Sequence, residues 1–269
     1  YIMDWIHAVV LGIVQGITEF LPISSSGHLI LIPHFFGWPD QGLGFDVAVN
    51  NGSLIALIVY FRKDIMKILT AFFATFRPGG WEKDFHGRLA WWQGIGTIPI
   101  GLAGITCKPL VETLARDPLV IGVTAITFGL LLGFADRMGQ RLRSLSDIGA
   151  KEAIIIGCAQ ALALIPGTSR SGITITAGLF LNLDREAAAR FSFLLAIPVS
   201  VLAGLLEIFE WIHLPPAPEE WIPMAVGFIA SGITSFLVIH WLLNWIRSRS
   251  LTVFVVYRLI LGVVLFMVF

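Results

Sequence analysis

Six long apolar stretches restrict this chain to a membrane, because a helix of about 20 apolar residues spans the hydrocarbon core of a bilayer. They are Phe45–Phe61, Leu89–Thr106, Pro118–Ala135, Ala187–Phe209, Ile222–Ile246 and Leu251–Phe269. Only 13% of the 269 residues are charged, and the mean hydropathy is +0.83. Soluble domains carry about a quarter charged residues. The sequence therefore predicts an all-α polytopic integral membrane protein with six transmembrane spans.

The charge balance argues against a nucleic-acid partner. The 18 basic and 18 acidic residues cancel, and the pI is about 7.2, so the chain has no basic field for a phosphate backbone. Cys107 and Cys158 lie in or beside apolar stretches without metal-ligand spacing, and we interpret them as small hydrophobic side chains.

Two further apolar stretches, Ile2–Phe36 and Ala153–Leu183, are interrupted by polar residues. Pro22 lies in the first interruption and Pro166 in the second. Each stretch has the pattern of a helix, a polar break and a second helix, and each half is too short to cross a bilayer alone. We therefore predict two re-entrant helical hairpins in addition to the six spans.

The distribution of Lys and Arg predicts the orientation, because cytoplasmic loops are rich in these residues. Basic residues, Lys83 among them, are concentrated in residues 62–88, 137–151 and 247–249. Gly37–Asp46 and Phe209–Glu220 contain acidic residues but no Lys or Arg. The basic segments are predicted inside and the acidic ones outside, so that the two hairpins enter from opposite faces of the membrane.

This order of segments predicts an inverted-topology repeat within a single membrane domain, residues 1–269. Each hairpin is followed by three spans, and the two halves cover approximately residues 1–136 and 150–269. A shift of 145 residues aligns Gly12, Gln15, Ser24, Ser26 and Gly27 with Gly157, Gln160, Ser169, Ser171 and Gly172. Broken helices at corresponding positions of such repeats indicate a binding site at the membrane midplane, where the breaks meet.

The first break, residues 15–28, concentrates polar groups at membrane depth. Its polar side chains include Gln15, Glu19, Ser24, Ser25, Ser26 and His28, of which Ser24 and Ser26 are candidate substrate-binding residues. Gln15 and Glu19 are four residues apart and share one helix face. Helix capping and buried hydrogen bonds account for the serines. They do not account for Glu19 together with His28, because ionisable groups inside a membrane are costly and usually functional.

The second break, residues 166–174, has the composition of an anion cradle. Its candidate substrate-binding residues are Gly167, Thr168, Ser169, Arg170, Ser171 and Thr174. Hydroxyls and the free N–H groups of the following helix can bind an anion. Arg170 adds a planar fork suited to phosphate oxygens. A structural bridge between Arg170 and Glu19 is an alternative, but a bridge alone would not need the hydroxyl cluster.

Together the two breaks suggest metal-assisted phosphoryl transfer. Glu19, with Gln15 as a neutral oxygen ligand, suits Mg²⁺ or Ca²⁺, which take oxygen ligands from carboxylates, amides and substrate phosphates. Ser25 and His28 are three residues apart, so His28 could take a proton from Ser25 or from a water. Both routes stay open, with Ser25 slightly favoured as the nucleophile. In so apolar a chain, a lipid headgroup can enter the site while its tail lies among the spans.

The motifs in both breaks are typical of one family. Residues 15–28 resemble the (E/Q)xxxE and SS(S/T)GH elements of the undecaprenyl-pyrophosphate phosphatase family of the BacA, bacitracin-resistance type. Residues 166–174 resemble its PGxSRSxxT motif, and residues 191–198 resemble the segment that follows. The resemblance implies hydrolysis of undecaprenyl pyrophosphate to undecaprenyl phosphate and inorganic phosphate. That reaction recycles the lipid carrier of peptidoglycan synthesis.

The same resemblance implies dependence on Mg²⁺ or Ca²⁺, a multi-pass protein of the bacterial inner membrane and an active site open to the periplasm, and it allows a homodimer. Carried over by motif, the central residues are Glu19, His28 and Arg170, and the supporting or nucleophilic candidates are Ser25, Ser169 and Thr174. Gln15 stands where many members have Glu, so a strictly two-carboxylate metal site is not expected. We interpret the polar patch Asn50–Gly52 as a helix cap.

Other functions compete with this one. A lipid-phosphate transporter or flippase would use the same inverted repeat and cradle. Transport does not need a metal-binding acid beside a base, so Glu19 with His28 favours the enzyme. A membrane phosphatase acting on phosphatidic acid or a sugar lipid is a further alternative, for which the sequence contains no additional motif. A structural scaffold is disfavoured by the many polar residues at membrane depth.

Overall fold

The computed structural model of the chain describes residues 3–77, 84–107, 117–213 and 215–269, so that Lys83 lies outside the described residues. These residues form helices and no strands, apart from an isolated bridge between Arg143 and Leu183. The α-helices are α1 (Trp5–Thr18), α2 (Ser25–Phe36), α3 (Gly42–Tyr60), α4 (Arg62–Ala74), α5 (Phe85–Thr106), α6 (Pro118–Met138), α7 (Ala150–Ala161), α8 (Arg170–Phe180), α9 (Arg185–His213), α10 (Trp221–Ile246) and α11 (Thr252–Val268). The predicted all-α class is confirmed.

Helix length and composition support a multi-pass membrane protein. In the described part of the chain, four segments are long and apolar enough to cross a bilayer: α3, α6, α9 and Pro218–Ile246, which contains α10. They match four of the six predicted spans. The other two are helical but less clear-cut: α5 has 22 residues whose glycines and Gln93 lower its hydropathy, and α11 is apolar but only 17 residues long.

Both polar breaks are observed as interruptions between short helices. α1 and α2 have 14 and 12 residues, and α7 and α8 have 12 and 11. None of these four helices reaches the length of about 20 residues that a span requires. Pro22 and Pro166 lie in the interruptions, where the residue before a proline is pushed out of the α conformation. The helix–break–helix pattern is therefore confirmed for both stretches.

One kind of helix contact occurs in both of the halves predicted from the sequence. α1 packs against α10, and α7 packs against α5. In each pair two glycine backbones touch: a Cβ on Gly12 would lie 2.6 Å from the carbonyl oxygen of Gly227, and Gly157 meets Gly96 in the same way. Such contacts between small residues are typical of helix packing in membranes. α6 and α11, the last helices of the two halves, pack against each other and carry residues that support the breaks.

Candidate active site

The two breaks meet at the carboxylate of Glu19, which follows the end of α1. Its Oε2 accepts hydrogen bonds from Ser25 Oγ at 2.9 Å and from Gln15 Nε2 at 3.0 Å. Its Oε1 pairs with Arg170 Nη2 at 2.6 Å, although 151 residues separate the two in sequence. The Glu19 side chain is only 10% exposed. A hydroxyl, an amide and a guanidinium thus converge on one nearly buried carboxylate.

Arg170, the first residue of α8, uses its fork to reach two partners. While Nη2 pairs with Glu19, Nη1 donates to Ser200 Oγ of α9 at 2.6 Å. The Arg170 side chain is 24% exposed and contributes to the lining of a cavity. The bridge to Glu19, weighed above as an alternative to phosphate binding, therefore exists.

The predicted pairing of Ser25 with His28 is wrong. The Ser25 hydroxyl donates to Glu19, whereas His28 Nδ1 bonds the carbonyl oxygen of Ser24 at 2.7 Å and Nε2 bonds the hydroxyl of Tyr257 at 2.6 Å. The carbonyl can only accept, so Nδ1 carries the proton and Nε2 accepts from the tyrosine. The physical reason is direction: side chains on a helix point toward its N-terminus, which brings the ring over the preceding turn. Glu19, not His28, accepts the hydrogen bond of the Ser25 hydroxyl.

Ser24 and Ser26, on either side of Ser25, bond each other and the second break. Ser24 is buried, and its hydroxyl lies 3.1 Å from that of Ser26. Ser26 Oγ accepts from the backbone N–H of Gly167 at 3.3 Å, which links the two breaks directly. Ser24 has φ of +74° and Ser169, its equivalent in the second break, has φ of +67°, a region that L-residues rarely occupy. Strain of this kind is common at functional sites.

Three hydroxyls of the second break have hydrogen-bond partners within the protein, and one has none. Ser169 caps α8 by accepting from the N–H of Gly172 at 3.2 Å. Ser171 donates to the carbonyl of Leu21 at 3.1 Å, and Thr174 donates to the carbonyl of Arg170 at 2.8 Å. Both side chains are buried and bonded internally, and their contact with substrate stays a prediction. Thr168 Oγ1 is buried without a hydrogen-bond partner in the described structure, and Thr168 stays a candidate substrate-binding residue.

A cavity of about 540 Å³ opens from this cluster. Glu19 and Arg170 line it together with Asn50, Ser200 and further residues of α3 and α9. An apolar groove of about 550 Å³ lies beside it, between α3, α9 and α10, and shares the lining residues Asn51 and Gly204 with the cavity. The polar cavity is thus continuous with an apolar groove.

Several residues of the site were not predicted from the sequence. Asn50 lies inside α3 rather than at its start, and its Oδ1 accepts from Gln15 Nε2 at 2.8 Å, so its interpretation as a cap is wrong. Ser200 and Tyr257 lie within helices of apolar composition and have no signal in one sequence. Arg258 does have a signal in the sequence, because it is an isolated charge in the predicted span Leu251–Phe269.

Comparison with known proteins decides the family. Residues 8–264 match the family described as bacitracin resistance protein BacA. The chain belongs to this family. The resemblance drawn from the two motifs is thereby confirmed.

Relatives of this BacA-family chain are similar over nearly their whole lengths. A protein of Magnetococcus marinus is 51% identical over 266 residues, which cover 98% of both chains. A protein of Teredinibacter turnerae is 51% identical, with 98% of this chain and 99% of that one covered. A protein of Marinobacter nauticus is 47% identical, with 99% of each covered. Each of the three is named undecaprenyl-diphosphatase.

The donor set of the BacA-family site is compatible with a divalent cation. Gln15 Oε1 is buried without a hydrogen-bond partner in the described structure, and it belongs to a side chain bonded to Glu19. An orphaned oxygen beside a carboxylate suits a hard cation. Among the described residues, no group of three His, Cys, Asp or Glu side chains is placed to hold a metal ion by itself. The remaining ligands would be water and phosphate oxygens, as is usual for Mg²⁺.

Proposed function

We propose that this protein is an undecaprenyl-diphosphatase, which hydrolyses undecaprenyl pyrophosphate to undecaprenyl phosphate and inorganic phosphate. This activity recycles the lipid carrier for the synthesis of peptidoglycan and other cell-wall polymers. The observation that carries the proposal is the convergence of Ser25, Glu19 and Arg170, which brings a nucleophile, a base and a phosphate-binding fork together from both breaks. Relatives named for this activity, 47–51% identical over nearly the whole chain, support the substrate.

The chain's own residues supply the steps. Arg170 binds oxygens of the pyrophosphate with its fork. Glu19 accepts the proton of Ser25 while Ser25 Oγ attacks the terminal phosphorus. The bond from Oγ to phosphorus forms as the bridging P–O bond breaks, and undecaprenyl phosphate leaves. The proton passes from Glu19 to the departing oxygen of undecaprenyl phosphate. A water then attacks the phosphoserine phosphorus while Glu19 accepts its proton. The Oγ–P bond breaks, the proton returns to Ser25 Oγ, and inorganic phosphate leaves.

A divalent cation, Mg²⁺ or Ca²⁺, is part of this proposal. Glu19 and the free Oε1 of Gln15 are the residues that would hold it. When bound, the cation supplies charge neutralisation on the pyrophosphate oxygens. Arg170 contributes the same kind of stabilisation from the other break.

The apolar groove supports a lipid substrate with a long tail. It adjoins the headgroup cavity at Asn51 and Gly204, and its walls include Leu54, Leu205 and Ile208. A polyprenyl chain can lie there without leaving apolar surroundings, so that only the pyrophosphate has to enter the polar cavity.

The proposed setting is the bacterial inner membrane, with six spans and two re-entrant hairpins in one inverted repeat. The repeated contacts of α1 with α10 and of α7 with α5 support the repeat. The cavity is lined by Leu43 and Asp46, next to a loop without Lys or Arg, which favours an opening to the periplasm.

Cysteine labelling tests this topology. In a background free of Cys107 and Cys158, single cysteines at Asp40 and Ser144 are expected to react from opposite sides of intact cells, because the first position is predicted outside and the second inside. Both positions are exposed, so each thiol can be labelled. Labelling of both by the same membrane-impermeant reagent in intact cells would contradict the inverted repeat.

The activity itself is tested with purified protein in detergent. We expect phosphate release from undecaprenyl pyrophosphate that falls sharply with a chelator and returns with Mg²⁺ or Ca²⁺. Undiminished release in excess chelator would remove the cation from the proposal. Transfer of labelled lipid across vesicles without phosphate release would favour a transporter instead.

The same assay with substrate labelled on its terminal phosphate identifies the nucleophile. If Ser25 attacks, acid-quenched wild-type protein carries ³²P, and Ser25→Ala neither labels nor turns over. A matched control is Ser146→Ala, because Ser146 is an exposed serine outside the site. Substantial turnover by Ser25→Ala, with no label on the wild type, would assign the attack to water activated by Glu19.

A further inference from the structure

Arg258 is a buried charge that the proposed mechanism does not use. It lies in α11, a helix of otherwise apolar composition, and its side chain is fully buried. Within the described ranges it forms no ion pair with a carboxylate. A charged group at membrane depth is costly unless its hydrogen-bonding capacity is filled, and such groups usually have a function. The partners of Arg258 show what that function is.

All five N–H donors of the guanidinium group go to backbone carbonyl oxygens. Nε donates to Ala125 at 3.0 Å, Nη1 to Thr168 at 2.9 Å and Pro22 at 3.4 Å, and Nη2 to Gly167 at 3.0 Å and Thr124 at 3.2 Å. Two of these carbonyls belong to α6, one to the first break and two to the second. A single side chain therefore ties both breaks to the same helix.

The backbone carbonyls of the two breaks need a hydrogen-bond donor such as Arg258. Pro22, Gly167 and Thr168 lie outside the helices, where their carbonyls have no regular helical partner, and unsatisfied backbone groups are strongly disfavoured inside a membrane. Thr168 is two residues from Arg170, and Pro22 is three from both Glu19 and Ser25. The carbonyls that Arg258 binds are thus close in sequence to the groups that carry the proposed chemistry.

Glycines leave the room that the guanidinium occupies. A Cβ on Gly172 of α8 would lie 2.9 Å from Arg258 Nη1, and a Cβ on Gly129 of α6 would lie 3.0 Å from Arg258 Cβ. The neighbouring Tyr257 holds His28. The environment on several sides is therefore shaped to hold one arginine in one orientation.

We propose that Arg258 is a positioning residue, which sets the spacing between the breaks and so aligns Ser25 and Glu19 with Arg170. The proposal rests on the function proposed above. Misplacement of reacting groups by about 1 Å can cost roughly 100-fold in rate. Disturbing Arg258 should therefore lower kcat more than it raises KM, and it should loosen both breaks together.

The first test is Arg258→Lys, which keeps the charge but cannot bind five carbonyls at once. We expect kcat for undecaprenyl pyrophosphate to fall about 100-fold, with a much smaller change in KM. Hydrogen exchange of the peptides covering residues 20–28 and 166–172 should accelerate in both. Wild-type kcat in a folded variant, or lost activity with unchanged exchange in the breaks, would overturn the proposal.

A second pair of substitutions, which change the structure less, tests the proposal if Arg258→Lys does not fold. Gly129→Ala adds a methyl group against Arg258, and Gly133→Ala adds one to the same helix interface, 3.2 Å from Val255 Cγ1. We expect Gly129→Ala to lower kcat about tenfold and to loosen both breaks, and Gly133→Ala to do neither. Equal effects of the two substitutions would make Arg258 merely structural. Hydrogen exchange needs no substrate, so it tests the positioning role even if the wild-type protein releases no phosphate.

Discussion

The Glu19→Gln variant is expected to lose kcat by about 1000-fold, because it removes the group that accepts the proton of the nucleophile. The carboxylate also balances the charge of Arg170 and bonds Ser25 through its second oxygen. A carboxamide oxygen can still accept from Arg170, but the amide NH₂ group can only donate to Ser25 Oγ and cannot take its proton. Initial rates of phosphate release over a range of Mg²⁺ concentrations measure the effect.

Excess Mg²⁺ should not restore the Glu19→Gln variant, because a weakened metal ligand is only part of the loss. Glu186→Gln is the matched control: Glu186 also accepts a bidentate hydrogen bond from an arginine, Arg247, but lies away from the cavity. The control should keep wild-type rates. Recovery of Glu19→Gln at high Mg²⁺ would assign Glu19 to metal binding alone and remove it as the base.

The Arg170→Lys variant is expected to lose kcat/KM by about 100-fold. Arg170 spans Glu19 and Ser200 with two nitrogens of one planar group. An ammonium group keeps the charge but is a point donor, so it cannot hold both partners or grip two phosphate oxygens in one plane. Phosphate release at substrate concentrations on both sides of KM separates the loss of binding from the loss of turnover.

Arg247→Lys is the control for this substitution, since Arg247 makes the same kind of forked contact to Glu186 on an exposed surface. Exposed ion pairs contribute little to stability, and activity should be unchanged. Near wild-type kcat/KM in Arg170→Lys would mean that Arg170 only bridges the two breaks and does not bind phosphate.

The breaks were predictable from sequence because their signals are local. Pro22 and Pro166 interrupt apolar stretches, and the serines and glycines that follow are typical of helix starts. The same local rule failed for Ser25 and His28. Spacing on a helix places them on neighbouring positions, but it does not show that the imidazole folds back onto the carbonyl of Ser24.

The contacts that complete the site cross a turn or link distant segments, so spacing on one helix cannot reveal them. Ser25 and Glu19 are brought together only because the chain turns between α1 and α2. Asn50 reaches Gln15 across 35 residues, and Arg258 reaches the first break across 236. The isolated charge of Arg258 indicated a function, but only the packing of α11 against α6 shows what it binds.

The ion pair between Arg170 and Glu19 has a consequence for product inhibition. A carboxylate held next to the guanidinium acts as a built-in competing anion, at the high effective concentration of a tethered group. Any phosphate ligand has to displace it, and a more highly charged headgroup does so more readily than a less charged one. The diphosphate substrate therefore binds Arg170 more strongly than the monophosphate product does. Turnover can continue in a bilayer where product accumulates, because the resting site rejects the product more strongly than the substrate.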